Sequence, residues 1–100
     1  MARDFVEVQG RVVNVEMRYT SGGDAVTSVV LKLGDHRVEV SAWSDLAERV
    51  NERLRVGDVV RVRGVLSGVA CFERGNGERG HAIKIRAWEV GRVKEEIEEI

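Results

Sequence analysis

The sequence predicts an all-β domain, a five-stranded Greek-key barrel with one short helix between strands three and four. Three observations point there. Valine is abundant, proline is absent, and most of the 100 residues alternate apolar and polar with a period of two. The first strand changes phase beside a glycine. A period of four appears once, between the third and fourth strands.

In the first strand, Val6, Val8, Gly10 and Val12 occupy even positions, whereas Val13, Val15, Met17 and Tyr19 occupy odd ones. Side chains alternate across a sheet, so the switch marks a bulge or sharp coil in one long strand. "TSGGDA" (Thr20–Ala25) follows as a turn, with Gly22 and Gly23 free to take positive φ. The second strand, Val26 to Leu33, carries Val29, Leu31 and Leu33 on one face, and "GDHR" turns it into the third. There Val38, Val40 and Ala42 share the apolar face, and Arg37, Glu39, Ser41 and Trp43 the polar one. A tryptophan on the same face as an arginine and a glutamate calls for a reason.

Leu46, Val50 and Leu54 then recur every four residues with Glu48, Arg49, Glu52 and Arg53 between them, the pattern of a short amphipathic helix. Ser44 or Asp45 is expected to cap it, and Asp45 with Glu48 has capping-box spacing. The fourth strand places Val60, Val62, Gly64 and Leu66 inward and Arg61 and Arg63 outward. "SGVACFERGNGERGHA" is a glycine-rich, hairpin-like excursion. The last strand, from about Ala82 to Val90, turns Ile83, Ile85 and Ala87 inward and Lys84, Arg86 and Trp88 outward. Residues 1–93 make the domain. The acidic tail 94–100, "KEEIEEI", could form a turn of helix but is too short to stand unaided.

Three strands, a helix and two strands, with a long coiled first strand, is the element order of the OB-fold. An SH3-like barrel lacks the helix at this place, and a ferredoxin-like domain needs a second one. "MRYTSGGDAVTSVVLKL", "VEVSAWSDLAERV", "LRVGDVVRVRGVL" and "IKIRAWEV" together resemble the single-stranded DNA-binding protein family and the related OB-folds of replication protein A. The likeness covers most of residues 6–90. It implies a barrel whose strand two–three face, flanked by loops one–two and four–five, grips single-stranded nucleic acid. Two departures stand out: loop four–five offers only Phe72 as an aromatic, and "EEIEEI" is only loosely similar to the bacterial family's acidic tail.

Composition is consistent with this. Hydrophobic residues make up 43% and charged residues 33%, a globular balance. "MARDFVEV" has no apolar run of a secretory signal, and Cys71 stands alone, which excludes an internal disulfide and a cysteine-based zinc cluster. An intracellular setting, cytoplasm or nucleoid, is expected. The net charge of −1 hides a division: residues 1–93 carry +2 and the tail −3. A body at +2 is not the strongly basic domain of a protein that neutralises many duplex phosphates. Arginine outnumbers lysine 13 to 3, which suits stacking and bidentate pairing but does not by itself require them.

Single-strand binders need aromatic faces for base stacking and cations along the backbone path. The candidates are Tyr19 and Arg18 beside loop one–two, Lys32 and Arg37 on the two–three face, Trp43 at the strand–helix junction, and Phe72, Arg74 and Arg79 in the four–five excursion. Each has a plainer alternative. Trp43 can plug a barrel end, Phe72 and Cys71 can fold onto the barrel, Tyr19 can close its mouth, and a lone surface cation is usually only solvated. Arg61 and Arg63 read better as cations paired with glutamates. Trp88, beside Lys84 and Arg86, fits a partner interface as well as stacking.

No Ser–His–Asp order, HExxH, GxxxxGK[ST] or paired acid cluster occurs, and His36 and His81 are each expected in a turn or loop. The chain therefore reads as a binding protein with no cofactor, no metal and no membrane. Its expected partner is single-stranded DNA, and RNA is not distinguished, because stacking ignores the 2′-hydroxyl. Self-association or a partner subunit would compensate for the modest charge of one barrel. The rival expectation is an OB-fold accessory subunit that mediates protein–protein assembly in a replication protein A-like complex, and a weaker one is recognition of folded RNA.

Overall fold

A computed structural model describes residues 5–73 and 75–100. It comprises β1 (Phe5–Tyr19), β2 (Ala25–Leu33), β3 (His36–Trp43), α1 (Ser44–Arg53), β4 (Val59–Glu73), β5 (Arg79–Val93) and β6 (Ile97–Glu99). The strands run β3-β2-β1-β4-β5-β6, and a parallel β3–β5 ladder closes the first five into a barrel. Among the described residues, no helix is long and apolar enough to cross a membrane.

β1 does double duty. Phe5–Arg11 pairs with β4 and Arg11–Tyr19 with β2, and the β2 register shifts between Val12 and Asn14, where the apolar phase changes. Gly10 lies just before that coil because a Cβ there would press on Leu33 and the Lys32 carbonyl. The connection from α1 is tied to the same point: Gly57 N–H donates to the Val12 carbonyl and Val12 N–H to the Asp58 carbonyl, both at 2.8 Å.

The barrel encloses Val12, Val29, Leu31, Val38, Val40, Val60, Val62 and Ile85, all nearly or fully buried. α1 covers one end, burying Ala47 and Val50, with Leu54 following. Thr27, a buried polar side chain, donates 2.6 Å to the Ala47 carbonyl and so anchors helix to sheet. The expected side-chain cap is not made. The N-cap residue is Trp43, no side chain caps the helix, and Ser44 is already its first residue at φ 55°. The chain turns directly out of β3, and Ser44 makes that turn with its backbone instead of standing outside it as a cap.

Three further differences follow from tertiary pairing. Leu66 (54% exposed) and Ile83 (48%) were expected inward but face solvent. Beyond Val65, β4 has only β5 as a ladder partner among the described residues, so the inner phase there has no opposite wall. The four–five excursion is a hairpin, as expected, but its ladder extends further than the expected strands, since β4 and β5 pair as far as Glu73 and Arg79. Lastly, "KEEIEEI" is neither helical nor detached. Ile97–Glu99 pairs with Gly91–Val93, and Ile100 is buried, its N–H donating to the Val90 carbonyl.

Candidate nucleic-acid interface

The ladders place the outer side chains of four strands in rungs. Arg11, Lys32, Arg37 and Ala82 form one. Asn14, Val30, Glu39 and Lys84 form the next, and Glu16, Ser28, Ser41 and Arg86 a third. Arg18, Val26 and Trp43 make the last. Six cations thus share this face with two carboxylates, and none of the six forms an ion pair among the described residues. Arg11 donates to the Gly57 carbonyl and Arg18 to the Ser28 hydroxyl, each at 3.1 Å, so both guanidinium groups are steered without being neutralised.

Trp43 is half-buried, and the Arg86 guanidinium carbon lies over its ring, 4.9 Å from the centroid. That contact explains how a tryptophan stands on a polar face: its ring carries a cation, an arrangement favoured by the ring quadrupole. Arg86 was legible only as an outward cation beside Trp88. The β3–β5 register, which sets Ser41 beside Arg86, brings it instead to Trp43.

Of the residues singled out from the sequence, Arg18, Lys32, Arg37 and Trp43 come together here. Tyr19 is exposed at the end of β1, but its register partner Ala25 belongs to the opposite phase, so it lies at the edge of the face rather than on it. Arg79 is exposed at the start of β5, opposite Glu73, at the end of the long hairpin. The backbone of Phe72 pairs with Gly80. Its side chain, and Arg74 altogether, lie outside the described residues.

Trp88 belongs elsewhere. The β4–β5 register shifts between Arg63 and Gly64, where a Cβ on Gly64 would collide with the backbone of Arg86 and Ala87. Trp88 projects from that irregularity, 53% exposed, with its ring 5.8 Å from that of Phe5, whose register partner on β4 is exposed Val65. Around this apolar patch the charges are matched. Arg63 pairs with Glu7 and Glu89, and Arg61 with Glu7 and Glu99. Glu7 above all holds the Arg63 guanidinium above its ordinary value. Among the described residues, no group of three His, Cys, Asp or Glu is placed to hold a metal.

A family model described as an OB-fold nucleic acid binding domain matches residues 6–90. The chain is 30% identical over 103 aligned positions to the single-stranded DNA-binding protein of Deinococcus radiodurans; the match takes in 89% of this chain and 34% of that protein, so the chain spans about a third of its relative's length. The fold is similar to the crystal structure of the SSB domain of a Synechococcus sp. protein, with a TM-score of 0.69 at 19% identity, over 90% of this chain and 96% of that one.

Proposed function

Because the chain belongs to the OB-fold nucleic acid binding domain family, we propose that it binds single-stranded DNA with little sequence preference, across the outer face of β2, β3 and β5. The observation that carries this reading is the excess of unpaired cations around Trp43 on that face, on a barrel where Arg61, Arg63 and Arg92 each meet two carboxylates. Lys32, Arg37 and Arg18 would contact phosphates, with Arg74 and Arg79 extending the path along the hairpin. Bases would stack on Trp43 and its Arg86, with Phe72 and Tyr19 as further platforms at the margins. Guanidinium planes and indole rings stack on any base, which is why sequence preference is expected to be weak. The relative's name, single-stranded DNA-binding protein, supports the choice of ligand, and the role is one of coating strands exposed in replication or repair rather than catalysis.

Tryptophan fluorescence titrated with oligo-dT tests it. Saturable quenching that weakens with salt, with a slope of about −0.7 per phosphate engaged, and that duplex DNA and folded RNA fail to match, is the expected result. A folded protein whose fluorescence ignores oligo-dT at low salt would refute it. The exposed Phe5–Trp88 pair favours a second reading, an assembly subunit that docks a protein partner there. Under that reading Trp88→Ala would abolish assembly and leave oligo-dT binding intact.

A further inference from the structure

Where the β2–β3 turn faces the β4–β5 hairpin, the structure holds an open cleft of about 660 Å³, lined by Lys32, Asp35, His36, Arg37, Glu73 and His81. Its position continues the three-cation rung Arg11–Lys32–Arg37 toward the hairpin. The charges around it are balanced in an unusual way. Lys32 and Arg37 are offset by Asp35 and Glu73 while both imidazoles are neutral, and the cleft gains two positive charges when both are protonated. His36 comes from the start of β3 and His81 from β5, each directly before the first pair of the β3–β5 ladder, Arg37 with Ala82. On the hairpin side, Cys71, Glu73 and Arg79 share a smaller recess with His81. All six lining side chains are exposed, so a strand can reach them without any rearrangement of the barrel.

We infer that this cleft is a phosphate seat whose strength is set by His36 and His81, making the hold on a single strand tighten as pH falls. Imidazole is the side chain whose ordinary charge change falls between pH 5 and 8, while the carboxylates and the other cations keep their charge through most of that range. With both imidazoles neutral, Lys32 and Arg37 supply the positive charge of the seat. With both imidazoles protonated, two more donors and two more charges face the phosphodiesters. The inference rests on the single-strand reading above and adds a regulation to it.

The test is a titration of the full chain with Cy3-labelled oligo-dT lacking a terminal phosphate, at pH 7.5 and 5.5 and constant ionic strength. Two variants, His36→Gln/His81→Gln and His36→Lys/His81→Lys, are run beside the natural chain, with thermal unfolding as a check on folding. The natural chain is expected to bind roughly 3- to 20-fold more tightly at the lower pH, the range for two exposed charge pairs. The glutamine variant should lose most of that change. The lysine variant should bind at pH 7.5 about as the natural chain does at 5.5. A natural chain that binds equally at both pH values, or a glutamine variant that keeps the full change, overturns the inference while leaving single-strand binding in place. Absence of binding by every form at low salt overturns the single-strand reading, and this inference with it.

Discussion

The two sides of this barrel handle arginine in opposite ways. On β4 and at the C-terminal end of β5, Arg61, Arg63 and Arg92 each meet two carboxylates, drawn from Glu7, Asp58, Glu89, Glu98 and Glu99. Across β2, β3, the C-terminal half of β1 and the middle of β5, Arg18, Lys32, Arg37, Lys84 and Arg86 form no such pair among the described residues, although Glu16 and Glu39 lie on the same face. The aromatic residues divide likewise. Trp88 packs on Phe5 within a charge-matched surround, whereas Trp43 lies beneath a guanidinium. Exposed ion pairs add little stability each, typically under about 1 kcal/mol. What separates the two sides is therefore less their stability than the field they present: one is neutral at short range, and the other is left positive for an anion to complete.

Charge reversal should break this comparison most visibly. Lys32→Glu/Arg37→Glu is expected to lower oligo-dT affinity by at least roughly 30-fold at low salt and to flatten the salt slope by about 1.4, the loss of two phosphate contacts. Arg61→Glu/Arg63→Glu should change affinity less than about threefold and lower the melting temperature instead, since it sets new carboxylates against Glu7, Glu89 and Glu99. Equal losses of affinity in the two doubles would show that both sides bind.

The aromatic pair gives the next effect in size. Trp43→Ala should cost about 1–3 kcal/mol of binding, the worth of one stacked base, or roughly 5- to 150-fold, and Trp43→Phe should recover most of it. Trp88→Ala should stay within about twofold. The same titrations would sharpen the assignment of quenching, because the two indoles are the only tryptophans in the chain.

The smallest effect concerns β6. A hydrogen bond and charge from Lys94, with help from Arg92 and Arg53, hold the Glu98 carboxyl below its ordinary value. A carboxylate whose folded value is depressed contributes stability that is complete above its unfolded value and disappears as pH falls through the folded one. The docking of Ile97–Ile100 should accordingly loosen in acid while the barrel remains. Amide resonances of those residues, followed by NMR from about pH 6 down to about pH 3, should move toward unstructured positions, and Lys94→Gln should shift that change to higher pH. Resonances that stay fixed would show that Ile100 burial alone holds the strand.

Much of the fold was legible because it is local. The phase change from Val12 to Val13 marks the β1 bulge, the four-residue spacing of Leu46, Val50 and Leu54 marks α1, and Arg61 and Arg63 pair with glutamates as expected. The misreadings share one cause. Leu66 and Ile83 obey the alternation of their strands, yet alternation gives a side chain's phase and not whether a wall stands opposite it. Ile97 and Ile100 were too few to read as a strand. Gly91 accepts them, since a Cβ there would run into Ile97, and that fit depends on a partner strand rather than on the segment itself.

The candidate site divides along the same line. Sequence by itself determined which side chains project outward from β2 and β3, because backbone geometry alternates them without reference to anything distant; Lys32, Arg37 and Trp43 follow from that alone. Only the tertiary structure decided that Arg86 covers Trp43, that Trp88 lies with Phe5, and that His36 and His81 face one cleft. Each of these depends on ladders that join residues far apart in the chain, above all the parallel closure of β3 on β5. Closing a ring requires every strand's register to be satisfied at once, and no local pattern of residues contains that condition.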